Sequence, residues 1–294
     1  MAGLYPEVTH HTARLNGLKQ HYVTAGDGPP VYLLHGFPET WFGWRKQIPV
    51  LAQRYTVVAP DLRGYGLSDK PAVGYDKRTM ANDVVALMDH LGHQTIALVG
   101  HDRGARVSTR FAKDHRGRVD RLVILDNVPT RVLSSTFDLD RARAGYWIFP
   151  FMGVPDLPEK LIGSGNEEAF LTHLFRTWSY NPQMLSADEV EVYVKNYQQP
   201  GTLRGSFADY RAMAEDTAQD IEDENVLIDC PVLTMWGAES DVVGRAYDVA
   251  EVWRGMAKNV TTIPIPECGH LCQEERPDFV NAELLKFLAS WNGS

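Results

Sequence analysis

The stretch LVGHDRGARVS (residues 98–108) joins an apolar run to a helix-like run through two glycines. Asp102 lies between Gly100 and Gly104. A Gly-x-Asp-x-Gly frame at the junction of a strand and a helix predicts a tight turn, because glycines relieve crowding and the central side chain then projects outward. An aspartate that merely caps a helix gives a similar local pattern, so the rest of the chain must decide between the two interpretations.

Short apolar runs alternate with amphipathic runs on both sides of this turn. The apolar runs predict strands at 18–26, 31–36, 55–61, 95–101, 121–127, 231–237 and 260–266. The amphipathic runs predict helices at 41–53, 77–91, 104–115 and 277–291. Alternating strands and helices predict an α/β fold with a mostly parallel, doubly wound sheet.

The alternation breaks after residue 130 and resumes at about residue 225. Between them the chain is rich in aromatic residues, proline, glycine and acidic residues, with helical patterns at 167–178 and 187–197. We therefore predict a helical cap inserted into an α/β core. The predicted boundaries are 1–130 and 225–294 for the core and 131–224 for the cap.

Composition excludes several classes of function. A net charge of -9 over 294 residues disfavours nucleic acid or an anionic membrane as the main partner. No apolar run reaches the ~18 residues of a transmembrane helix, and the first residues do not read as a signal peptide. Three cysteines predict reduced thiols in the cytoplasm, and the pair Cys268 and Cys272 is a poor metal site without a second ligand pair.

Four residues with catalytic chemistry follow the predicted strands, where open α/β sheets place their sites. Asp102, Asp126 and Asp241 come at the ends of strands, and His270 follows the last strand. A carboxylate is already anionic at neutral pH, so Asp102 could attack a saturated carbon without a base and form an alkyl ester. His270 would then activate water to cleave that ester. Either Asp126 or Asp241 could orient the histidine.

The chain resembles the α/β-hydrolases of the branch that contains haloalkane dehalogenases, epoxide hydrolases and haloacetate dehalogenases. The resemblance to the haloacetate (fluoroacetate) dehalogenases rests on LLHGFPETWFGWR, APDLRGYGLSDKP, GHDRGARVS, ILDNVPT and ADYRA. It favours Asp126 as the acid and implies an oxyanion hole made by the main-chain N–H groups of Phe37 and Arg103. It also implies a homodimer and a reaction without metal or organic cofactor.

Two arginines near Asp102 indicate the substrate. Arg103 and Arg106 lie within one helical turn of the aspartate, and the planar guanidinium group binds a carboxylate through two hydrogen bonds. Together with the resemblance, they predict a short 2-haloacid, whose carboxylate both arginines bind.

The halide site departs from the haloacetate family, which has a His-Trp pair in the cap. The matching positions here are Trp147 and Ile148, while Tyr210 matches the family tyrosine. We expect Trp147 and Tyr210 to bind the leaving halide. Loss of the histidine favours chloride and bromide over fluoride. Trp178 falls near another family cap tryptophan, and the sequence leaves its role open.

Other functions use the same residues. An epoxide hydrolase would need the same triad and two cap tyrosines, of which the chain offers Tyr210. A protein that binds a ligand without catalysing a reaction could have the same fold. A carboxylesterase is disfavoured, because acyl transfer to an aspartate would give an anhydride.

Overall fold

The computed structural model describes residues 5–293. Within them, eight strands form one sheet in the order β1-β2-β4-β3-β5-β6-β7-β8. The strands are β1 (Thr9–Leu15), β2 (Leu18–Ala25), β3 (Pro30–Leu34), β4 (Thr56–Pro60), β5 (Ile96–His101), β6 (Val119–Leu125), β7 (Val232–Gly237) and β8 (Val260–Ile265). The pairs β1–β2 and β2–β4 are antiparallel, and the other neighbours are parallel.

Helices connect and cover these strands. Those before the sixth strand are α1 (Ile48–Leu51), α2 (Lys77–Leu91) and α3 (Asp102–Asp114). Between β6 and β7 the helices are α4 (Thr130–Thr136), α5 (Leu139–Arg141), α6 (Ile148–Gly153), α7 (Leu157–Ile162), α8 (Glu167–Trp178), α9 (Ala187–Tyr197), α10 (Thr202–Arg211) and α11 (Met213–Glu222). The last are α12 (Val249–Arg254), α13 (Cys272–Glu275) and α14 (Pro277–Leu288). Short 3₁₀ segments span Trp41–Trp44 and Arg116–Arg118, and a π-helical turn spans Ala142–Tyr146.

The α/β fold predicted from the sequence is confirmed. All six residues of β5 are buried, which suits a central parallel strand with both faces covered. The first strand, β1, is absent from the sequence prediction, because most of its side chains are exposed or half-buried and it lacks an apolar pattern.

The helix predicted at 41–53 is two short helices. The first is the 3₁₀ segment, capped by the Thr40 side chain, which accepts a hydrogen bond from the N–H of Phe42. The second is α1, which has Pro49 in its first turn. Proline has no N–H and clashes with the preceding turn, so it starts a helix and does not continue one.

The register aligns the carboxyl ends of the central strands. Leu34 pairs with Gly100, His101 pairs with Leu125, and Leu125 pairs with Met235. The loops that follow β3, β5, β6 and β7 therefore begin at one edge of the sheet. This is the edge where the sequence places the candidate catalytic residues.

Eight helices, α4 to α11, lie between β6 and β7, and we call them the helical insert. Buried ion pairs join it to the core. Arg45 pairs with Glu189 of the insert and with Glu274 of α13, and the hydroxyl of Tyr193 donates to Glu274 at 2.8 Å. The insert is thus attached at α9 by polar contacts that are shielded from water.

Replacing Gly104 by alanine tests how closely α3 packs on β3. A Cβ at position 104 would lie 2.3 Å from the carbonyl oxygen of Leu34 and 2.4 Å from that of His35, so strand and helix would have to separate. We expect Gly104→Ala to lower the free energy of unfolding by about 2–3 kcal/mol, measured by urea denaturation. The control is Gly117→Ala, where a Cβ would meet nothing within 4 Å. Equal losses in the two variants would contradict the packing argument.

Candidate active site

Asp102 lies at the turn where β5 ends and α3 begins. Its backbone has a φ of 44°, a left-handed conformation that is strained for a residue with a side chain. A Cβ at Gly100 would lie 2.5 Å from the Ser108 hydroxyl oxygen and 2.7 Å from the Ala105 Cα. Both flanking glycines are therefore required by close packing, as the sequence predicts for a turn that projects the side chain of Asp102.

The carboxylate of Asp102 is held by the loop after β3. Its Oδ2 accepts a hydrogen bond of 3.0 Å from the main-chain N–H of Phe37. Burial on its own raises the pKa of the Asp102 carboxyl, but its electrostatic interactions with His270, His101 and Arg103 and the hydrogen bond from Phe37 outweigh burial and hold the pKa below its usual value. The side chain is therefore an anion at neutral pH. Its other oxygen, Oδ1, does not take part in the hydrogen bond to Phe37.

His270 lies between two aspartates. Its Nδ1 is 2.6 Å from Oδ2 of Asp126, and its Nε2 is 3.9 Å from Oδ1 of Asp102. A carboxylate can only accept, so Nδ1 carries a proton and donates to Asp126, while Nε2 faces Asp102 beyond hydrogen-bond distance. Asp126 is itself fixed by the N–H of Gly237 at 2.9 Å and the hydroxyl of Ser240 at 2.8 Å.

The other candidate acid lies away from the histidine. The side chain of Asp241 is 47% exposed and pairs with Arg245 at 3.0 Å. Of the two aspartates that the sequence offered, the structure brings Asp126 to His270 and leaves Asp241 at the surface. Ser240 was not predicted as a site residue, because no sequence pattern indicates that a serine next to Asp241 binds Asp126.

A second buried pair, His101 and Glu39, is absent from the sequence prediction and contacts the main chain of His270. The Nδ1 of His101 is 2.8 Å from Glu39 Oε2, and its Nε2 is 2.8 Å from the carbonyl oxygen of His270. Both neighbours are acceptors, so both nitrogens donate and His101 is an imidazolium. Burial lowers the pKa of His101, but the charge of Glu39 outweighs burial and raises it to about 9. Glu39 also accepts the N–H of Gly36, so the pair links the loops of Phe37 and His270.

Arg103 is fully buried, and its charge is already matched. Its Nη2 donates to the main-chain carbonyl of Asp209 at 2.7 Å and pairs with the carboxylate of the same residue. Lys77 also pairs with Asp209, and both cations approach Asp216. This cluster of two cations and two anions has no net charge. The Nε and Nη1 of Arg103 have no hydrogen-bond partner.

Arg106 differs, because it forms no direct ion pair, although its charge opposes the burial that raises the pKa of the Asp220 carboxyl. The side chain is 6% exposed, and its Nη1 donates to the Thr130 hydroxyl at 2.7 Å. Its Nε has no partner, and no carboxylate of residues 5–293 forms an ion pair with it. A buried cation without a directly bound anion is costly, so this position favours an anionic ligand.

Aromatic side chains of the insert lie on the same loops. Tyr210 packs on Phe37, with ring centroids 5.2 Å apart, and the Arg103 guanidinium lies 4.6 Å from the Tyr210 ring centroid. Burial and the charge of Asp102 raise the pKa of the Tyr210 hydroxyl well above its usual value, so it remains a donor.

Trp147 lies elsewhere. It is half-buried, and it packs on Phe151, Phe170 and His173 of the insert. In the described part of the chain, the tryptophan in ring contact with His270 is Trp178, whose ring centroid is 5.3 Å from that of the imidazole. The structure therefore brings Tyr210, but not Trp147, into ring contact with the loop of Phe37.

Neither a metal cluster nor a membrane span is found among residues 5–293. No group of three or more histidine, cysteine, aspartate or glutamate side chains there is arranged to hold a metal ion. No helix in that range is long and apolar enough to cross a bilayer.

Comparison with known proteins identifies the family. Residues 29–277 match the model of the α/β hydrolase fold. The chain belongs to the α/β hydrolase fold family. A soluble epoxide hydrolase of Corynebacterium sp. (strain C12) is 40% identical over 286 residues, 96% of this chain and 98% of that protein. A fluoroacetate dehalogenase of Burkholderia sp. is 36% identical over 274 residues, 91% of this chain and 89% of that protein.

A solved structure agrees with this assignment. The epoxide hydrolase CorEH, without ligand, superposes with a TM-score of 0.89 at 37% identity, over 96% of this chain and 99% of that chain. The protein is thus an α/β hydrolase, and its relatives include enzymes for two kinds of substrate.

Proton NMR of the buried imidazole tests the pairing of His270 with Asp126. A short hydrogen bond from Nδ1 to a carboxylate moves the proton signal far downfield. We expect a downfield signal that disappears in His270→Ala and is lost or moves upfield in Asp126→Asn. The matched variant Asp241→Asn should leave it unchanged, since Asp241 pairs at the surface. A signal that responds to Asp241→Asn and ignores Asp126→Asn would reverse the assignment.

Proposed function

We propose that this α/β hydrolase cleaves the carbon–halogen bond of short 2-haloacids to give the 2-hydroxyacid and halide. The observation that carries the proposal is Arg106, a buried cation that forms no ion pair and lies four residues after Asp102 in α3. A substrate that has both an anionic group and an electrophilic carbon fits the two charges. A 2-haloacid has these groups on adjacent carbons.

The first step is attack by Asp102 on the carbon that bears the halogen. Because Oδ2 is held by the N–H of Phe37, Oδ1 is the oxygen that attacks. A bond forms between Oδ1 and the carbon, and the halide leaves with the electron pair of the carbon–halogen bond. The product is an ester between Asp102 and the 2-hydroxyacid skeleton.

The second step hydrolyses the ester. His270 takes a proton from water through Nε2, and the resulting hydroxide attacks the Asp102 carboxyl carbon, while Asp126 stabilises the imidazolium. Negative charge develops on Oδ2, where the N–H of Phe37 already donates. The N–H of Arg103, in the first turn of α3, lacks a partner within its helix and is the second candidate donor. The tetrahedral intermediate collapses by breaking the bond between Oδ1 and the carboxyl carbon. The 2-hydroxyacid leaves with Oδ1 and takes the proton from His270, while Asp102 keeps the oxygen of water and loses its remaining proton to solvent.

The two arginines have different parts in this proposal. Arg106 supplies the net positive charge for the substrate carboxylate. Arg103 supplies hydrogen bonds from Nε and Nη1, which are buried without partners, while Asp209 balances its charge. The sequence alone does not distinguish the two arginines, because it does not reveal that Asp209 already pairs with Arg103.

Epoxide hydrolysis is the second candidate. Asp102 and His270 would act in the same way, and the Tyr210 hydroxyl would donate a proton to the opening epoxide oxygen. Two observations favour it: the relative at 40% identity is a soluble epoxide hydrolase, and the charge of Arg103 is neutralised by Asp209. Arg106 argues against it, because an uncharged epoxide leaves that cation unmatched.

Halide release decides between the candidates. The purified protein would be incubated with chloroacetate, bromoacetate and fluoroacetate, and halide measured by ion chromatography, with Asp102→Ala as control. We expect chloride and bromide release that disappears in the control, and much slower fluoride release. A parallel incubation with styrene oxide measures diol formation. Diol without halide would replace the proposal with epoxide hydrolysis.

The same assay measures the contribution of Arg106. Removing its charge in Arg106→Gln should raise KM for chloroacetate about 10–100-fold, since a hydrogen bond to a charged group contributes about 1.5–3 kcal/mol. Arg106→Lys should recover part of the loss. The matched control is Arg143→Gln, which removes a cation that is 72% exposed on the insert. An unchanged KM in Arg106→Gln would contradict the carboxylate site.

A further inference from the structure

Glu275, the last residue of α13, joins the loop that carries His270 to the helical insert. Its Oε1 accepts the main-chain N–H of Gly269 at 2.9 Å, and Gly269 directly precedes His270. Its Oε2 accepts the N–H groups of Tyr180 and Asn181, at 2.8 and 3.3 Å, and both residues follow α8. One carboxylate therefore bonds to two segments that are distant in the sequence, the His270 loop and the chain after α8.

The same two segments are also in direct main-chain contact. The carbonyl of Trp178, at the end of α8, accepts the N–H of His270 at 2.7 Å. The last carbonyl groups of a helix have no partner within the helix, so the His270 loop supplies one of the missing donors. A Cβ at Gly269 would lie 2.4 Å from this carbonyl oxygen and 2.7 Å from the main-chain nitrogen of Tyr180. The loop therefore packs against the end of α8 without space for a side chain.

Other ionisable side chains surround Glu275, but among residues 5–293 none forms an ion pair with it. Glu275 lines a cavity of about 430 Å³ whose other ionisable side chains are those of Lys46, Tyr180, Glu267, Glu274 and Arg276. The two cations of this cavity have partners, Arg276 in Glu267 at 3.0 Å and Lys46 in the neighbouring Glu274 at 3.3 Å. From the protein interior, Asp126 and the Cys272 thiol interact with Glu275 electrostatically. The three main-chain N–H groups are therefore the direct partners of its carboxylate.

The protonation state of Glu275 decides whether all three hydrogen bonds can form. A carboxylate accepts at both oxygens, whereas a protonated carboxyl group has an O–H that donates. A proton on Oε1 would face the N–H of Gly269, and a proton on Oε2 would face those of Tyr180 and Asn181. Burial and the charge of Asp126 raise the pKa of Glu275 to about 7, because together they outweigh the three N–H groups. The connection between loop and insert is therefore complete above this pKa and broken on one side below it.

We propose that Glu275 is a positioning residue for the general base, and that it acts by holding the His270 loop against the end of α8. A general base must lie within hydrogen-bond reach of the water that it activates, so a displaced loop slows this step. The inference rests on the proposed two-step reaction, in which His270 acts only in the second step. Loss of the Glu275 carboxylate should therefore slow hydrolysis of the ester and leave the attack by Asp102 unchanged.

Single-turnover mass spectrometry separates the two steps. Protein mixed with chloroacetate is quenched in acid, and the ester on Asp102 is followed as it forms and decays. Glu275→Gln keeps the shape of the side chain but directs an NH₂ group at one set of N–H donors. We expect ester decay to slow about tenfold in this variant, with an unchanged rate of ester formation. The matched control is Glu267→Gln in the same loop, whose side chain is 66% exposed and pairs with Arg276, and both of its rates should equal those of the wild type. Equal slowing of both steps in Glu275→Gln, or an unchanged ester decay, would overturn the inference.

Amide hydrogen exchange tests the contact in the wild-type protein, whether or not the variant folds. After correction for the intrinsic exchange rate, the N–H groups of Gly269 and Tyr180 should lose protection between about pH 8 and about pH 6, on either side of the pKa of Glu275. The control is the N–H of Glu239, which donates to the main-chain carbonyl of Cys268 in the same loop and should keep its protection. Constant protection at Gly269 and Tyr180, or an equal loss at Glu239, would contradict the role of the carboxylate.

The proposed function and the role of Glu275 fail separately. If the wild type forms no ester on Asp102 from chloroacetate or from an epoxide, the proposed reaction is wrong, and amide exchange still decides whether Glu275 holds the His270 loop. If the wild type forms and hydrolyses the ester but Glu275→Gln does so at the same rates, the reaction stands and the positioning role is wrong.

Discussion

The structure depends on how Asp102 is held at the turn between β5 and α3. A φ of 44° gives its side chain a direction that a relaxed strand or helix would not provide. Strand and helix approach so closely that Gly100 and Gly104 leave no space for a Cβ. The order of the sheet then brings Phe37 and His270 to this carboxylate from the loops after β3 and β8.

Buried charge is the second constraint on the structure, and the buried ions near the site are of two kinds, paired and unpaired. Most buried ions near the site are balanced: His101 by Glu39, and Arg103 and Lys77 by Asp209 and Asp216. Charge that is balanced within the protein holds the loops in place and makes no demand on a ligand. Arg106 lacks such a partner, and we therefore assign the substrate carboxylate to it.

The sequence predicts the strands and helices that bury apolar surface, and it predicts the candidate site residues that follow the strands. The strands β2 to β8 and the helices α2, α8 and α9 lie within two residues of the predicted bounds. Asp102, Asp126 and His270 follow strand ends, and their meeting follows from the topology of a parallel sheet. The strand β1 was missed, because its exposed side chains carry no apolar pattern.

Partners across long sequence separations could not be predicted. Glu39 and His101 meet across the sheet edge, and Asp209 reaches Arg103 from the insert. In the insert, an alignment by spacing selects Trp147, whereas the fold places Trp178 on His270. Such contacts depend on the packing of helices, which leaves no periodic signal.

Trapping the covalent intermediate tests the central claim, that Asp102 is the attacking group. A His270→Ala variant lacks the base that cleaves the ester, so incubation with chloroacetate should leave the intermediate on the protein. Intact-protein and peptide mass spectrometry should then find one carboxymethyl group, attached to Asp102. A protein that remains unmodified by chloroacetate and by epoxides, or that is modified at a residue other than Asp102, would contradict the account.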